Sequence, residues 1–233
     1  MPALFKQRVI NLPTLWGWFV IVVIVIVIVI VILIFGYIFK HLAVFLAKNQ
    51  PVQGQYLIVE GWLDEHSLLK AKDLFEQGSY SLLITSGGSE TGQLKPDYPS
   101  YADRAAAFLI MQGFDSNKLH IAPAPASAQN RTYLSAVKVR QWFESQNRPP
   151  DSFDIISSSV HARRTQQLYQ MAFGDNVKVG IVAIAPQRYS LQSWWQSSEG
   201  IKSALAEIVG LGYTFCCFEP GEIGSHHELW GPS

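Results

Sequence analysis

The run SSSVHARR, Ser157 to Arg164, gathers three hydroxyls, an imidazole and two guanidiniums in one short stretch. Opening a helix, such a run offers unpaired N–H groups and the positive end of the helix dipole, both of which favour an anion. His161 and Arg164 stand three apart and share a helix face, whereas Arg163 points elsewhere, to solvent or a neighbouring carboxylate. An imidazole with an ordinary pKa of about 6.5 serves as general acid or base near neutrality. The competing reading makes the serines a capping run and His161 a solvated first-turn residue. A second segment, ITSGG, ends in Ser86, Gly87 and Gly88, where small residues let an anion approach the backbone closely. Taken alone, that Gly-Gly is more simply a turn. A third, NRT, offers Asn130, Arg131 and Thr132 as a helix cap, with Arg131 as a second cation and Thr132 to orient a ligand. Glu60, Gly61 and Trp62 form a fourth polar segment after an apolar run. The chemistry these residues suit is the holding of a phosphate, with His161 moving a proton and Arg164 neutralising charge.

Other chemistries fit poorly. The chain has no G-x-S-x-G, no G-x-x-x-x-G-K-[ST], no H-E-x-x-H and no G-x-G-x-x-G after its first strand, and the cofactor is left unknown. His226 and His227 beside Glu228 would need further ligands to hold a metal, and no metal site is expected. With 18 basic and 18 acidic residues the chain lacks the basic surplus that nucleic-acid binding requires. Cys216 and Cys217 are adjacent, so they build no disulfide framework and leave the redox compartment open.

The elements that must carry these segments alternate. Apolar runs predict strands over Gln55–Val59, Ser81–Thr85, Lys118–Ala122, Phe153–Ser157 and Val177–Ala185. Helical spacing predicts helices from Asp64 to Gly78, Tyr101 to Gln112 behind a Ser100 cap, Arg131 to Ser145, Ala162 to Phe173 and Glu199 to Leu211. Trp194 and Trp195 could line a pocket mouth, though packing of the last helix suits them better. Strand alternating with helix implies a Rossmann-like three-layer α/β domain with a mainly parallel sheet of about five strands. Ligands bind such sheets at the carboxyl ends of the strands, which is where the four polar segments fall.

Before this domain, Trp16 to Phe39 is apolar and uncharged, and at ~1.5 Å per residue it spans a bilayer core of about 30 Å as a single uncleaved helix. Its Ile/Val repeat favours strands, but an unpaired backbone in lipid costs far more than β-branching costs a helix. A signal peptide fits less well, because HLAVFLAKNQ offers no small-residue cleavage site. The organisation expected is an N-terminal segment 1–15, a span 16–39 in contact with the lipid bilayer, a linker 40–54, a domain 55–215 and a tail 216–233. Lys6 and Arg8 before the span face Lys40 and Lys48 after it, and the amino terminus tips the balance towards an extracytoplasmic domain.

VEGW, ITSGG, NRTYLSA and SSSVHARRT, in that order, resemble the DUF218 family, which includes ElyC, SanA and YdcF. The resemblance covers about Gln55 to Leu211 and implicates Gly61, Ser86, Gly87, Gly88, Thr132, Ser158, His161 and Arg164. It implies a Rossmann-like domain, often tethered to the bacterial inner membrane, with several members tied to cell-envelope or peptidoglycan maintenance and no reaction settled for the family. Two departures stand out: Tyr101 follows Ser100 where many members carry an acid, and Ser135 stands where asparagine is usual. Glu60, Glu90 or Asp103 would have to replace that carboxylate. Two functions are therefore expected in competition: an envelope enzyme, hydrolase or transferase, acting on a phosphate-bearing carbohydrate or lipid-carrier intermediate, and a non-catalytic module for a small anionic, nucleotide-like ligand or for scaffolding. No protein partner is indicated.

Overall fold

A computed structural model describes residues 12–89, 98–125 and 130–225, and the chain divides into two units, Met1–His41 and Leu42–Ser233. The first unit is dominated by helix α1, Leu15–Leu46, which runs a few residues into the second unit. Its most apolar window has a mean hydropathy of 3.9 and buries none of its residues, so α1 is long and apolar enough to cross a membrane. The helix continues past Phe39, because Leu42, Ala43 and Leu46 find buried contacts with Val160, Trp194, Ala204 and Leu211 of the second unit. Residues 42–46 are thus helical, with Leu42, Ala43 and Leu46 packed, where a linker was expected.

Five strands form one all-parallel sheet: β1 Tyr56–Glu60, β2 Leu82–Gly87, β3 Leu119–Pro123, β4 Ser152–Ser158 and β5 Lys178–Ile184. Their order is β3-β2-β1-β4-β5. The helices between them are α2 Glu65–Gln77, α3 Tyr101–Met111, α4 Arg131–Ser145 and α5 Ala162–Phe173, with α6 Ser198–Cys216 closing the fold. Strand propensity and helix periodicity place nine of these ten elements within a few residues of expectation. The exception is α6, which passes Leu211 to Cys216 because no breaker interrupts it before Pro220.

Local chemistry sets the helix ends. The Asp64 carboxylate accepts from the Ser67 N–H at 2.8 Å, and Ser100 Oγ accepts from the Asp103 N–H at 3.1 Å. Gly174 ends α5 with φ 75°, a left-handed value that glycine reaches without strain. Successive strand residues then face two cores. Leu57, Val59, Leu83 and Ile156 pack on α2 and α3 through Leu68, Ala71 and Leu109, while Ile58, Ile84, Phe153 and Ile155 pack on α4 and α5 through Val137, Phe143, Tyr169 and Phe173. This is a three-layer α/β arrangement whose winding changes direction between the neighbouring strands β1 and β4.

The segment before β1 is clamped to the sheet. Gln50 bridges Ile181 of β5, and the wholly buried Asp154 in β4 accepts from Val52 N at 2.7 Å, Gly54 N at 3.1 Å and Tyr80 Oη at 3.0 Å. Burial, then the neighbouring Asp154 charge, pushes the Tyr80 hydroxyl well above the ordinary phenol range, so it stays a donor. At the other end of the fold, Cys216 and Cys217 are joined in a disulfide between neighbours, which links no two elements. Asp154→Ala strands three donors around an empty site, and a loss of about 3 kcal/mol is expected in chemical denaturation of the full chain. A loss below about 0.5 kcal/mol would show that the clamp is dispensable.

Candidate functional site

The change of winding brings the carboxyl end of β1 beside that of β4, and the side chains that follow them meet there. Glu60 is the last residue of β1 and is 3% exposed. His161 ends the short 3-10 turn Ser159–His161 that joins β4 to α5. Thr165 and Tyr169, on the face of α5 turned to the sheet, carry hydroxyls beneath them. Thr165 Oγ1 donates to Glu60 at 3.3 Å, and the Ser86 and Tyr169 hydroxyls lie 2.9 Å apart. The Tyr169 hydroxyl is held well above its ordinary range, first by burial and then by the Glu60 charge.

A carboxylate from α6 completes the group. Glu207 accepts from Arg164 in a two-point contact, Nε to Oε2 at 2.8 Å and Nη2 to Oε1 at 3.0 Å, and its Oε1 also lies 2.8 Å from His161 Nδ1. On the other edge of the ring, His161 Nε2 faces Glu60 Oε1 at 3.6 Å and Thr132 Oγ1 at 3.5 Å. The Trp62 ring meets the imidazole edge-on at 5.2 Å between centroids. Burial works against a charged ring here, but Glu60 and Glu207 together outweigh it and raise the His161 pKa from 6.5 to about 9. Burial would raise Glu207, yet its bonds to His161 and Arg164 prevail and bring it from 4.5 down to about 2. The site therefore sets Glu60 and Glu207 against the His161 ring and the Arg164 guanidinium. At neutral pH His161 is a proton donor rather than the base that an unperturbed ring would also allow.

These groups open onto a cleft of ≈ 560 Å³. Glu60, His161, Arg164 and Glu207 line it together with Ser86, Gly87 and Gly88 and with Asn130, Arg131 and Thr132. Eight of the ten expected site residues thus share one cavity. Gly61 is absent from its lining: its N–H donates to Ser86 O at 2.7 Å, and a Cβ there would stand 2.4 Å from Tyr101 O, so its role is close packing. Ser158 lines a second cavity of ≈ 660 Å³, which shares Trp62, His161 and Glu207 with the first as a partition. Gly87 and Gly88 also have a backbone reason to be glycine, a φ of 141° at Gly87 and Pro125 O at 2.6 Å from any Cβ on Gly88.

The idea of a three-serine anion cradle requires correction. Ser157 belongs to β4 and bonds Thr165 Oγ1 at 3.2 Å, while Ser159 is buried with its hydroxyl 3.1 Å from Tyr189 Oη. Strand residues alternate faces, so consecutive serines at a strand end cannot all reach one ligand. Arg164, expected to hold a phosphate, has its fork on Glu207. Arg163 donates to Phe45 O at 2.6 Å and lies over the Phe45 ring, with no carboxylate partner among the described residues. Asn130 occupies the cap position of α4 at φ 52° without a side-chain cap bond. Among the possible substitute acids, Glu60 is in the site, Asp103 is engaged with Ser100, and Glu90 lies outside the described residues, as do His226, His227 and Glu228. Trp194 is buried against Ala204 and Leu211, as packing of the last helix requires.

Glu207 was missed by sequence reasoning. Its signal was available: it is the one charged residue between Lys202 and Glu219 in a segment that is otherwise apolar or small. A carboxylate in such a helix needs a buried partner. No family model and no curated protein matches this chain.

The shifted groups set a pH window. A ring whose pKa rises on folding from 6.5 to about 9 stabilises the fold fully below 6.5 and loses that contribution as pH climbs through 9. Glu207, lowered from 4.5 to about 2, contributes fully above 4.5 and loses it as pH falls towards 2. Stability should form a plateau between pH 4.5 and 6.5 and decline to either side. His161→Gln should lower the plateau by on the order of 3 kcal/mol and flatten the alkaline limb, measured by denaturant titration across pH. An alkaline limb unchanged in that variant would show that His161 does not carry it.

Proposed function

We propose that this chain is a membrane-anchored protein of the bacterial cell envelope, of the DUF218 kind, that acts at phosphate on a cell-wall or lipid-carrier intermediate. The observation that carries this reading is the placement of His161 between Glu60 and Glu207 at the carboxyl ends of the central strands, lining one cleft with Gly87 and Gly88. With Arg164 bound to Glu207, the phosphate seat is the Gly87–Gly88 turn, the first-turn N–H groups of α4 and the Arg131 side chain. The acceptor oxygen, from water or an alcohol, bonds to phosphorus as the bond to the leaving oxygen breaks. His161 Nε2 gives its proton to the leaving oxygen, and Glu60 takes the proton released by the acceptor. Thr132, within reach of Nε2, orients the group being cleaved.

One observation favours the second reading, a non-catalytic module for an anionic ligand. Arg164 and His161 Nδ1 are satisfied by Glu207 without any ligand, as in a purely structural ion pair. Turnover separates the two. His161→Gln should lower the hydrolysis rate of a lipid pyrophosphate by about 10²–10⁴-fold while keeping phosphate affinity within a few-fold. Wild-type protein that binds pyrophosphate in calorimetry yet turns over no phosphate ester would establish the module instead.

The anchor supports the envelope assignment, and the charge pattern around it favours an extracytoplasmic domain. An alkaline phosphatase reporter fused after Ser233 should therefore be active, and a cytoplasm-dependent fluorescent reporter at the same place silent. The reverse pattern would move the domain inside and return a nucleotide-like ligand to first place.

A further inference from the structure

Helix α6 has two apolar faces. Its inner face buries Gly200, Ala204, Leu211 and Thr214 and turns Glu207 into the site. The outer face carries Ile201, Leu205, Val209 and Tyr213 at four-residue intervals, a row that runs along one side of the helix. These four are 38%, 49%, 71% and 50% exposed, and Phe215 adds a fifth exposed apolar side chain at 66%. Beyond Lys202 no charged side chain interrupts the outer face. A helix that is apolar all round is normally enclosed on every side, and a contiguous apolar surface of this kind marks an interaction site.

The chain itself points to the lipid bilayer as the occupant. The turn Leu42–Leu46 is the end of α1 and shares one buried cluster with Ala204, Ile208 and Leu211 of α6. At this turn Val44 is exposed, while the half-exposed Phe45 ring lies under the Arg163 guanidinium, so the apolar surface continues onto the turn through Val44 with a cation beside it. A span of Trp16–Phe39 uses up about 36 Å of helix at ~1.5 Å per residue, which leaves the turn just beyond the bilayer core, in the headgroup zone. Lys40, Lys48 and Lys202 are the cations nearest in sequence to these apolar positions, as suits phosphate headgroups.

We propose that the outer face of α6 lies in the membrane–water interface, with Ile201, Leu205, Val209 and Tyr213 among the acyl chains. This rests on the reading of α1 as a membrane span. Tyr213 also lines the ≈ 560 Å³ cleft, so a docked α6 opens that cleft at the depth of lipid phosphates. A phosphate-headed amphiphile then enters without leaving the membrane plane, its head in the cleft and its chain passing Tyr213.

The test uses the full chain in phosphatidylethanolamine–phosphatidylglycerol vesicles containing a diazirine-bearing phospholipid, with photolabelled residues mapped by mass spectrometry. Label is expected on α1 and on the Leu205–Val209 stretch of α6. The pair of exposed substitutions Leu205→Glu and Val209→Glu should abolish the α6 label, leave the α1 label in place and leave the thermal transition unshifted. Label on α1 without label on α6 overturns the docking and spares the anchor; absence from both overturns the two together. A cross-linker that joins Lys202 to a second copy, or to residues 226–233 of the same chain, in place of α6 lipid label would give the face to that occupant and overturn the proposal.

Discussion

The contact of Glu207 with both Arg164 and His161 is the constraint on which the rest of the site depends. Moving a carboxylate, a guanidinium and an imidazolium out of water costs several kcal/mol for each ion, and only close, multiply bonded geometry offsets this. The two-point Arg164 fork and the 2.8 Å approach to Nδ1 provide that geometry. The same contact, together with Glu60, raises the His161 pKa; it also orients Nε2 towards Glu60 and Thr132 and ties α6 to α5. Without it, α6 would have no polar reason to close over the carboxyl ends of the strands.

Two buried acids on neighbouring strands show how position separates structure from chemistry. Asp154, near the start of β4, takes three donors from the segment before β1 and from Tyr80, and its oxygens are engaged. Glu60, at the end of β1, receives long contacts from Thr165 and faces the imidazole across 3.6 Å. A carboxylate surrounded by short bonds is held still, whereas one with long bonds lines the cleft beside the imidazole. The parallel sheet accounts for the difference, since its carboxyl ends open at the change of winding while its amino ends are covered by the incoming chain.

Helix α1, long and apolar enough to cross a membrane, and the α/β domain use the same residue types differently. In α1 the Ile/Val repeat suits a medium in which every backbone group must bond internally, and the helix satisfies this at the modest cost of β-branched residues. In the domain the same residue types fill strands, because neighbouring strands and two helical layers provide the partners. Helix α6 stands between these regimes, with one face belonging to the core and the other to an apolar surface.

Strand and helix positions, the Asp64 and Ser100 caps, the glycine stop at Gly174 and the parallel three-layer fold were legible because propensity, periodicity and capping act over a few residues. So was the rim that unites Gly87, Gly88, Thr132, His161 and Arg164, since every βα junction of a parallel sheet emerges on the same edge. The inward turn of Ser157 and Ser159, the use of Gly61 for packing, the capture of Arg164 by Glu207 and the charged state of His161 were decided by tertiary structure alone. Each depends on which side chain arrives from far along the chain; 46 residues separate His161 from Glu207. Local sequence determines where a residue sits on its element, whereas the energy of a buried charge depends on the partner that packing brings to it.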